Sequence, residues 1–400
     1  MPMLKKSLIK VGLVSAGNVL NAAMGFAFLT ALARTLDLES FGKYALVSSL
    51  LVFLSRLLDF GTNSTFVARA LTNGKNIAKE TFYGSKVLLF LVALPISASV
   101  LLYLKIANTQ LLIIFALGLL AYAVNYTLFA FFQKSEKYLQ LVLLNTLPAL
   151  IKGAFAVTIF IGVFIPTYTS GFAVFALSIF SSALLWFFVP NEYKLPEISF
   201  SGIKPLVKNA SPAGISQMIT EGWPAFNNTI AKMASGFADV GIFSLADKVS
   251  NIFMLASVSI FTVLLPRNAA RQREKKGYDF RETGIMAGII LTLAVIAVGI
   301  ASLFIQLLFG EKFADSIGIL NILIFAAAFT SIHSFMENYF FVREKTQYIL
   351  YINASKLVLY LTLSMSLVPM IGLKGLAISN LVAAVMSLGL LIEFVRRDVK

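Results

Sequence analysis

The chain has 400 residues, of which 58% are hydrophobic and only 13% charged, with a mean hydropathy of +0.85. Water-soluble globules carry about half apolar and about a quarter charged residues, so this composition excludes one and fits a polytopic membrane protein. The formal net charge of +14 would suit nucleic acid, but the basic residues alternate with apolar spans, which points to membrane orientation instead.

The absence of cysteine excludes disulfides and thiolate metal or redox chemistry, and one histidine, His333, gives no basis for a histidine metal site. The N-terminus starts like a secretory leader, with Lys5, Lys6 and Lys10, yet its apolar part runs to Leu32 and reads as a retained first span. About twenty apolar residues cross a bilayer. By that measure twelve spans are expected, near 11–33, 44–64, 82–104, 111–132, 138–163, 170–190, 206–231, 240–265, 283–309, 316–341, 347–369 and 374–395. The termini and the loops on their side hold 22 lysines and arginines, against six on the other side, so both termini are expected in the cytoplasm.

The expected fold is all-α, with 12 transmembrane helices in two six-helix bundles, 1–190 and 206–400, joined by a cytoplasmic linker, 191–205. Internal similarity supports a pseudo-two-fold relation: AKMASGFADVGIFSLADKVSNIF matches ARTLDLESFGKYALVSSLLVF with one inserted residue, and FFVREKTQYILYIN resembles FFQKSEKYLQLVLLN. Parallel repeats of this kind are a transporter plan, with the substrate handled where the repeats meet.

Helical spacing sorts the polar residues of several spans onto faces. Span one carries Asn18 with Asn21 and Gly25, and span two carries Ser49, Arg56 and Asp59. Span five carries Asn145, Pro148 and Lys152; span seven carries Gln217, Glu221, Pro224 and Asn228. Span eight carries Ser244, Asp247, Lys248 and Asn251, and span eleven Asn353, Lys356 and Tyr360. Spans three, six, nine and twelve read as nearly all apolar apart from Lys86.

An ionisable residue at membrane depth costs about 2.5–3.5 kcal/mol on insertion scales and marks a functional position. Each also has a bland reading. Arg56 and Asp59, three apart, can neutralise each other, and Glu221 can pair with a lysine of a neighbouring helix. Lys86 and Lys248 can snorkel to the headgroups, Glu337 can lie at the interface, and His333 can be a packing residue. Arg56, Lys152, Lys248 and Lys356, with Asn18, Asn145 and Asn353, are the candidate substrate contacts, because guanidinium forks and ammonium groups suit phosphate or diphosphate. Asp59, Glu221 and Asp247 are the candidates for ion coupling. Tyr126, Trp223, Tyr339 and Tyr360 are candidate sugar contacts.

The strings LDLESFGKYAL, DFG followed by VARA, SPAGIS, VGIFSLADKV, LLPR and LFGEKFADS occur in order along the chain. Together they resemble the polysaccharide-transporter branch of the multidrug/oligosaccharidyl-lipid/polysaccharide exporter superfamily, and most of all its Wzx-type flippases. The resemblance implies movement of undecaprenyl-diphosphate-linked O-antigen or exopolysaccharide repeat units from the cytoplasmic to the periplasmic leaflet of a bacterial inner membrane. It also implies a cationic central cavity, with Arg56 and Lys248 most like the family's contacts to the lipid diphosphate. A polysaccharide polymerase and chain-length machinery are the implied protein partners. Where the family often has an aspartate late in the seventh span, this chain reads FNNTI with Asn228, which moves ion coupling to Glu221 and Asp247.

No cofactor is expected; a proton or sodium gradient or the membrane potential, worth about 2.3 kcal/mol per charge per 100 mV, would drive the cycle. A cation-coupled multidrug exporter is the alternative, but it favours an acidic cavity. A polytopic enzyme needs an acid and base in an exterior loop, and these loops are short. The loop DFGTNSTFVARALTNGKN lacks the G-x-x-x-D-R-x-G-R-R pattern of major-facilitator transporters.

Overall fold

The structure, a computed structural model, describes residues 2–71, 77–194, 197–262, 280–342 and 345–399. Each expected span falls mainly on helix, and no strand forms among the described residues. Nine helical segments among these residues are long and apolar enough to cross a membrane. The chain is an all-α polytopic membrane protein. The basic stretch 267–276, the LLPR string, Lys75, Arg343 and Lys400 lie outside the described residues.

The chain divides into two units, Met1–Ala225 and Phe226–Lys400. The first holds α1 (Pro2–Thr35), α2 (Leu38–Asp59), α3 (Thr62–Leu71), α4 (Lys79–Tyr103), α5 (Thr109–Lys134) and α6 (Tyr138–Phe160). It continues with α7 (Tyr168–Leu177), a 3₁₀ run (Ser178–Phe188) and α8 (Ile203–Glu221), and α9 (Trp223–Ser235) carries the division. Of the segment expected to link two bundles, 191–205, the described parts 191–194 and 197–205 are bound within the first unit. Lys79 Nζ donates to the Glu192 carbonyl at 2.9 Å, Tyr83 Oη to the Tyr193 carbonyl at 2.5 Å, and the Ser199 amide to the Glu80 carbonyl at 3.0 Å. Beneath it Phe66 stacks on Phe82 with centroids 4.2 Å apart, and Phe131 on Tyr193 at 4.6 Å.

Local chemistry sets the helix ends. Asp37 caps α2 by accepting from the Ser40 amide at 2.8 Å and the Ser40 hydroxyl at 2.9 Å, and these bonds hold its carboxyl below the ordinary aspartate range. The expected span 44–64 is not continuous. Phe60 (φ 40°) and Gly61 (φ 75°) turn into the left-handed region, which ends α2 before α3 begins at Thr62. An L side chain at Gly61 would also collide with α8, whose Gly214 nitrogen lies 2.8 Å from the ideal Cβ position. The span expected at 206–231 is broken as well, at Gly222 with Pro224 just beyond, where proline's missing N–H costs no helical bond.

The second unit holds α10 (Phe237–Thr262), α11 (Phe280–Phe309), α12 (Ser316–Val342), α13 (Thr346–Ile371) and α14 (Leu373–Val399). In it α12 packs on α10, α11 and α14, and α13 packs on α14. Near the end of α14, Asp398 accepts from Tyr339 Oη at 3.0 Å and forms an ion pair with Lys345.

Candidate functional site

In the first unit the broken α2 builds a charged centre. Phe53 and Arg56, three residues apart and so on one helical face, both meet the end of α8. The Phe53 ring fills the space beside Gly222, where a Cβ would stand 2.6 Å from its Cδ2, and Arg56 forms an ion pair with Glu221. The guanidinium lies over the Tyr126 ring of α5, 4.9 Å from its centroid, a contact worth about 0.5–2 kcal/mol. Tyr126 is itself fixed: its hydroxyl shares a 3.0 Å hydrogen bond with Ser55, and its carbonyl accepts from Asn63 Nδ2 at 2.9 Å. Arg56 Nε is buried and has no hydrogen-bond partner among the described residues.

Asp59, three residues from Arg56, lies within its electrostatic range but makes its ion pair elsewhere. It turns to Lys86 of α4, with Nζ 3.6 Å from its Oδ1, and accepts the Asn63 amide at 3.0 Å. Lys86 does not snorkel. Its side chain is 5% exposed and donates to Asn63 Oδ1 at 2.7 Å, Thr62 Oγ1 at 2.9 Å and the Leu58 carbonyl at 3.1 Å. The corner at Phe60–Gly61 makes this possible by bringing Thr62 and Asn63 of α3 under the α2 terminus. Glu221, Arg56, Tyr126, Asn63, Lys86 and Asp59 thus form one connected chain of polar contacts across α8, α2, α5, α3 and α4.

The second unit holds a different kind of centre. Asp247 of α10 accepts from Asn227 Nδ2 at 3.2 Å and from Asn251 Nδ2 at 3.4 Å. The Asn227 side-chain Oδ1 accepts from Tyr360 Oη of α13 and from Asn380 Nδ2 of α14, the latter at 3.2 Å. All but Asn251 are buried. Two turns of α13 away from Tyr360, Asn353 Nδ2 donates to Glu337 Oε1 at 3.2 Å, and His333 Nε2 lies 3.6 Å from the same oxygen. Lys356 is in electrostatic range of both Glu337 and His333. Glu337, read as interfacial, has a side chain only 16% exposed.

The remaining sequence candidates are more scattered. Lys152 sits over the Phe175 ring, 5.5 Å from its centroid, and Lys248 lies beside its neighbour Asp247. Asn18 and Asn145 are exposed. Among the sugar candidates, Tyr360 and Tyr339 are buried and spend their hydroxyls on Asn227 and Asp398. Sequence reasoning missed Thr62, Asn63, Asn227 and Asn380. Asn63 had a signal, four residues after Asp59, and Asn380 stood as a lone amide in a span read as apolar.

Residues 7–272 match the family described as polysaccharide biosynthesis protein. Among curated proteins none matches the chain. Among solved structures, the lipid II flippase MurJ in an inward closed conformation superposes with a TM-score of 0.79 at 12% identity, over 96% of this chain and 87% of that one. An inward-facing multidrug resistance MATE transporter of the MOP superfamily gives 0.66 at 16% identity, over 94% and 95% of the two chains. The MATE multidrug transporter DinF-BH gives 0.62 at 16% identity, over 100% and 96%. The chain thus shares the fold of these three solved structures. With a match over well more than half its length, this chain belongs to the polysaccharide biosynthesis protein family.

Proposed function

We propose that the protein is a Wzx-type flippase that moves undecaprenyl-diphosphate-linked oligosaccharide repeat units, as O-antigen or exopolysaccharide precursors, from the cytoplasmic to the periplasmic leaflet. The observation that carries this reading is Arg56: a guanidinium inside an expected span, lying over Tyr126 and ion-paired with Glu221. A planar fork of that kind suits a diphosphate. Lys152, Lys248 and Lys356, with Asn18, Asn145 and Asn353, are the proposed further substrate contacts, in a cycle that opens to the two leaflets in turn. The full count of 12 spans, the two-bundle boundary at 190 and 206, and the cytoplasmic termini belong to the same proposal, as does a bacterial inner membrane location.

Asp247 is the proposed reader of a coupling proton or sodium ion, because it is buried and accepts from two neutral amides, with Lys248 as its charged neighbour. Asp59 is the weakest of the ion-coupling candidates, since Lys86 already neutralises it. Transport of a fluorescent polyprenyl-diphosphate oligosaccharide in liposomes tests the reading against its rival, the cation-coupled multidrug exporter. Lipid movement above that of empty liposomes supports the flippase. Movement at the empty-liposome rate, with a small organic cation exported instead, replaces it with the exporter.

A further inference from the structure

We infer that the Glu221 carboxylate is a built-in occupant of the Arg56 anion subsite, which a substrate diphosphate displaces, so that Glu221 sets how tightly that anion is held and how readily it is released. The inference rests on the flippase reading for the identity of the anion and on the geometry of the first unit for the rest.

The two ion pairs of this centre differ in access. Asp59 and Lys86 are closed in, with side chains 6% and 5% exposed, and each is further engaged by α3. Arg56 and Glu221 are open, at 21% and 37%. Of the acids near Arg56, Asp59 is therefore committed elsewhere and Glu221 is the one an incoming anion can replace. A carboxylate and a phosphate offer the same acceptor pair to a guanidinium.

The guanidinium keeps its place when the carboxylate leaves. Its other side rests on Tyr126, which Ser55 and Asn63 hold without help from Glu221. Glu221 is the last residue of α8 and is followed by Gly222, so its side chain stands at a helix end and can swing without disturbing a helix interior. An arginine buried without a counter-ion is costly. Exchange of one anion for another avoids that state at both ends of the transport cycle.

Competition of this kind lowers apparent affinity by the fraction of time the subsite is occupied. Removing the carboxylate charge at constant shape, in Glu221→Gln, should therefore tighten anion binding by about tenfold and slow its release. A carboxylate that only neutralises Arg56 for folding would leave affinity unchanged or weaken it.

The test is calorimetric titration of the full chain in detergent with inorganic pyrophosphate, for wild type, Glu221→Gln, Glu221→Asp, Arg56→Ala and the Glu221→Gln/Arg56→Ala pair. The expected result is tightest binding in Glu221→Gln and none in either variant lacking Arg56. Should Glu221→Gln fail to fold, Glu221→Asp carries the test, because its shorter reach weakens the pair and should bind more tightly than wild type. Unchanged or weaker affinity in the folded Glu221 variants, or tightening that persists without Arg56, overturns the inference. The parent reading fails separately: a wild type that moves lipid-linked oligosaccharide without this tightening sinks only the exchange, whereas tightening without lipid movement sinks only the flippase.

Discussion

Gly61 and Gly214 meet backbone to backbone, with the Gly214 nitrogen 2.8 Å from the ideal Cβ position of Gly61. In return, a Cβ on Gly214 would stand 2.5 Å from the carbonyl carbon of Phe60. Two strings singled out in the sequence, DFG and SPAGIS, are thus the two sides of one contact. It sets the α2–α3 corner on α8 and fixes the register that brings Arg56 to Glu221.

Alanine at Gly61 should destabilise the protein by about 2–5 kcal/mol, the sum of a left-handed penalty of about 1–2 and an overpacking penalty of about 1–3. Gly162 has the same φ of 75° but open space where a Cβ would go, so Gly162→Ala should cost only the first part. Thermal unfolding followed by circular dichroism checks the difference. Equal losses at the two positions would contradict the close contact.

Breaking the Lys86–Asp59 pair with Lys86→Met should cost about 3–5 kcal/mol, since it leaves a buried carboxylate without its cation. Adding Asp59→Asn should recover part of that loss, and the double-mutant cycle reads the coupling. A Lys86→Met variant as stable as wild type would restore the snorkelling reading.

Asn227→Ala should cost about 1–3 kcal/mol by removing an acceptor of the Tyr360 hydroxyl and one donor to Asp247. Combined with Asn380→Ala, the losses should fall short of additive by about 0.5 kcal/mol or more, as expected of residues sharing one network. Additive losses would mean that the amides act separately.

The sequence showed the helical plan well and the pairing of its charges poorly. Arg56 and Glu221 stood out because charge at membrane depth is costly, whichever partner relieves it. Which partner does so depended on Gly61 ending α2, and a DFG string inside an apolar run reads as continuous span. Lys86 looked like a snorkelling residue because it lies one turn inside its span; nothing local told that Thr62 and Asn63 would arrive beneath it. Asn227 and Asn228 are neighbours, about 100° apart around a helix, and spacing alone selected Asn228 where the buried network uses Asn227.

The Asp37 cap gives a pH prediction. Its carboxyl is held below the ordinary value of 3.8 by the Ser40 bonds. Its stabilising effect is therefore fully present above that value and is lost as pH falls through the lower folded value. Asp37→Ala should cost about 0.5–2 kcal/mol at neutral pH, and the gap to wild type should close in acid. A gap that widens in acid, measured by the same melts, would contradict the cap.

The most direct test of Arg56 as the anion contact is the initial rate of transbilayer movement of a polyprenyl-diphosphate oligosaccharide in liposomes, for wild type, Arg56→Ala and Lys356→Ala. Loss of one charge-assisted hydrogen bond, about 1.5–3 kcal/mol, corresponds to a rate lower by about ten- to a hundredfold. We expect that loss in Arg56→Ala and a loss also in Lys356→Ala, with insertion and melting kept. An Arg56→Ala protein that moves the lipid at the wild-type rate would contradict the account.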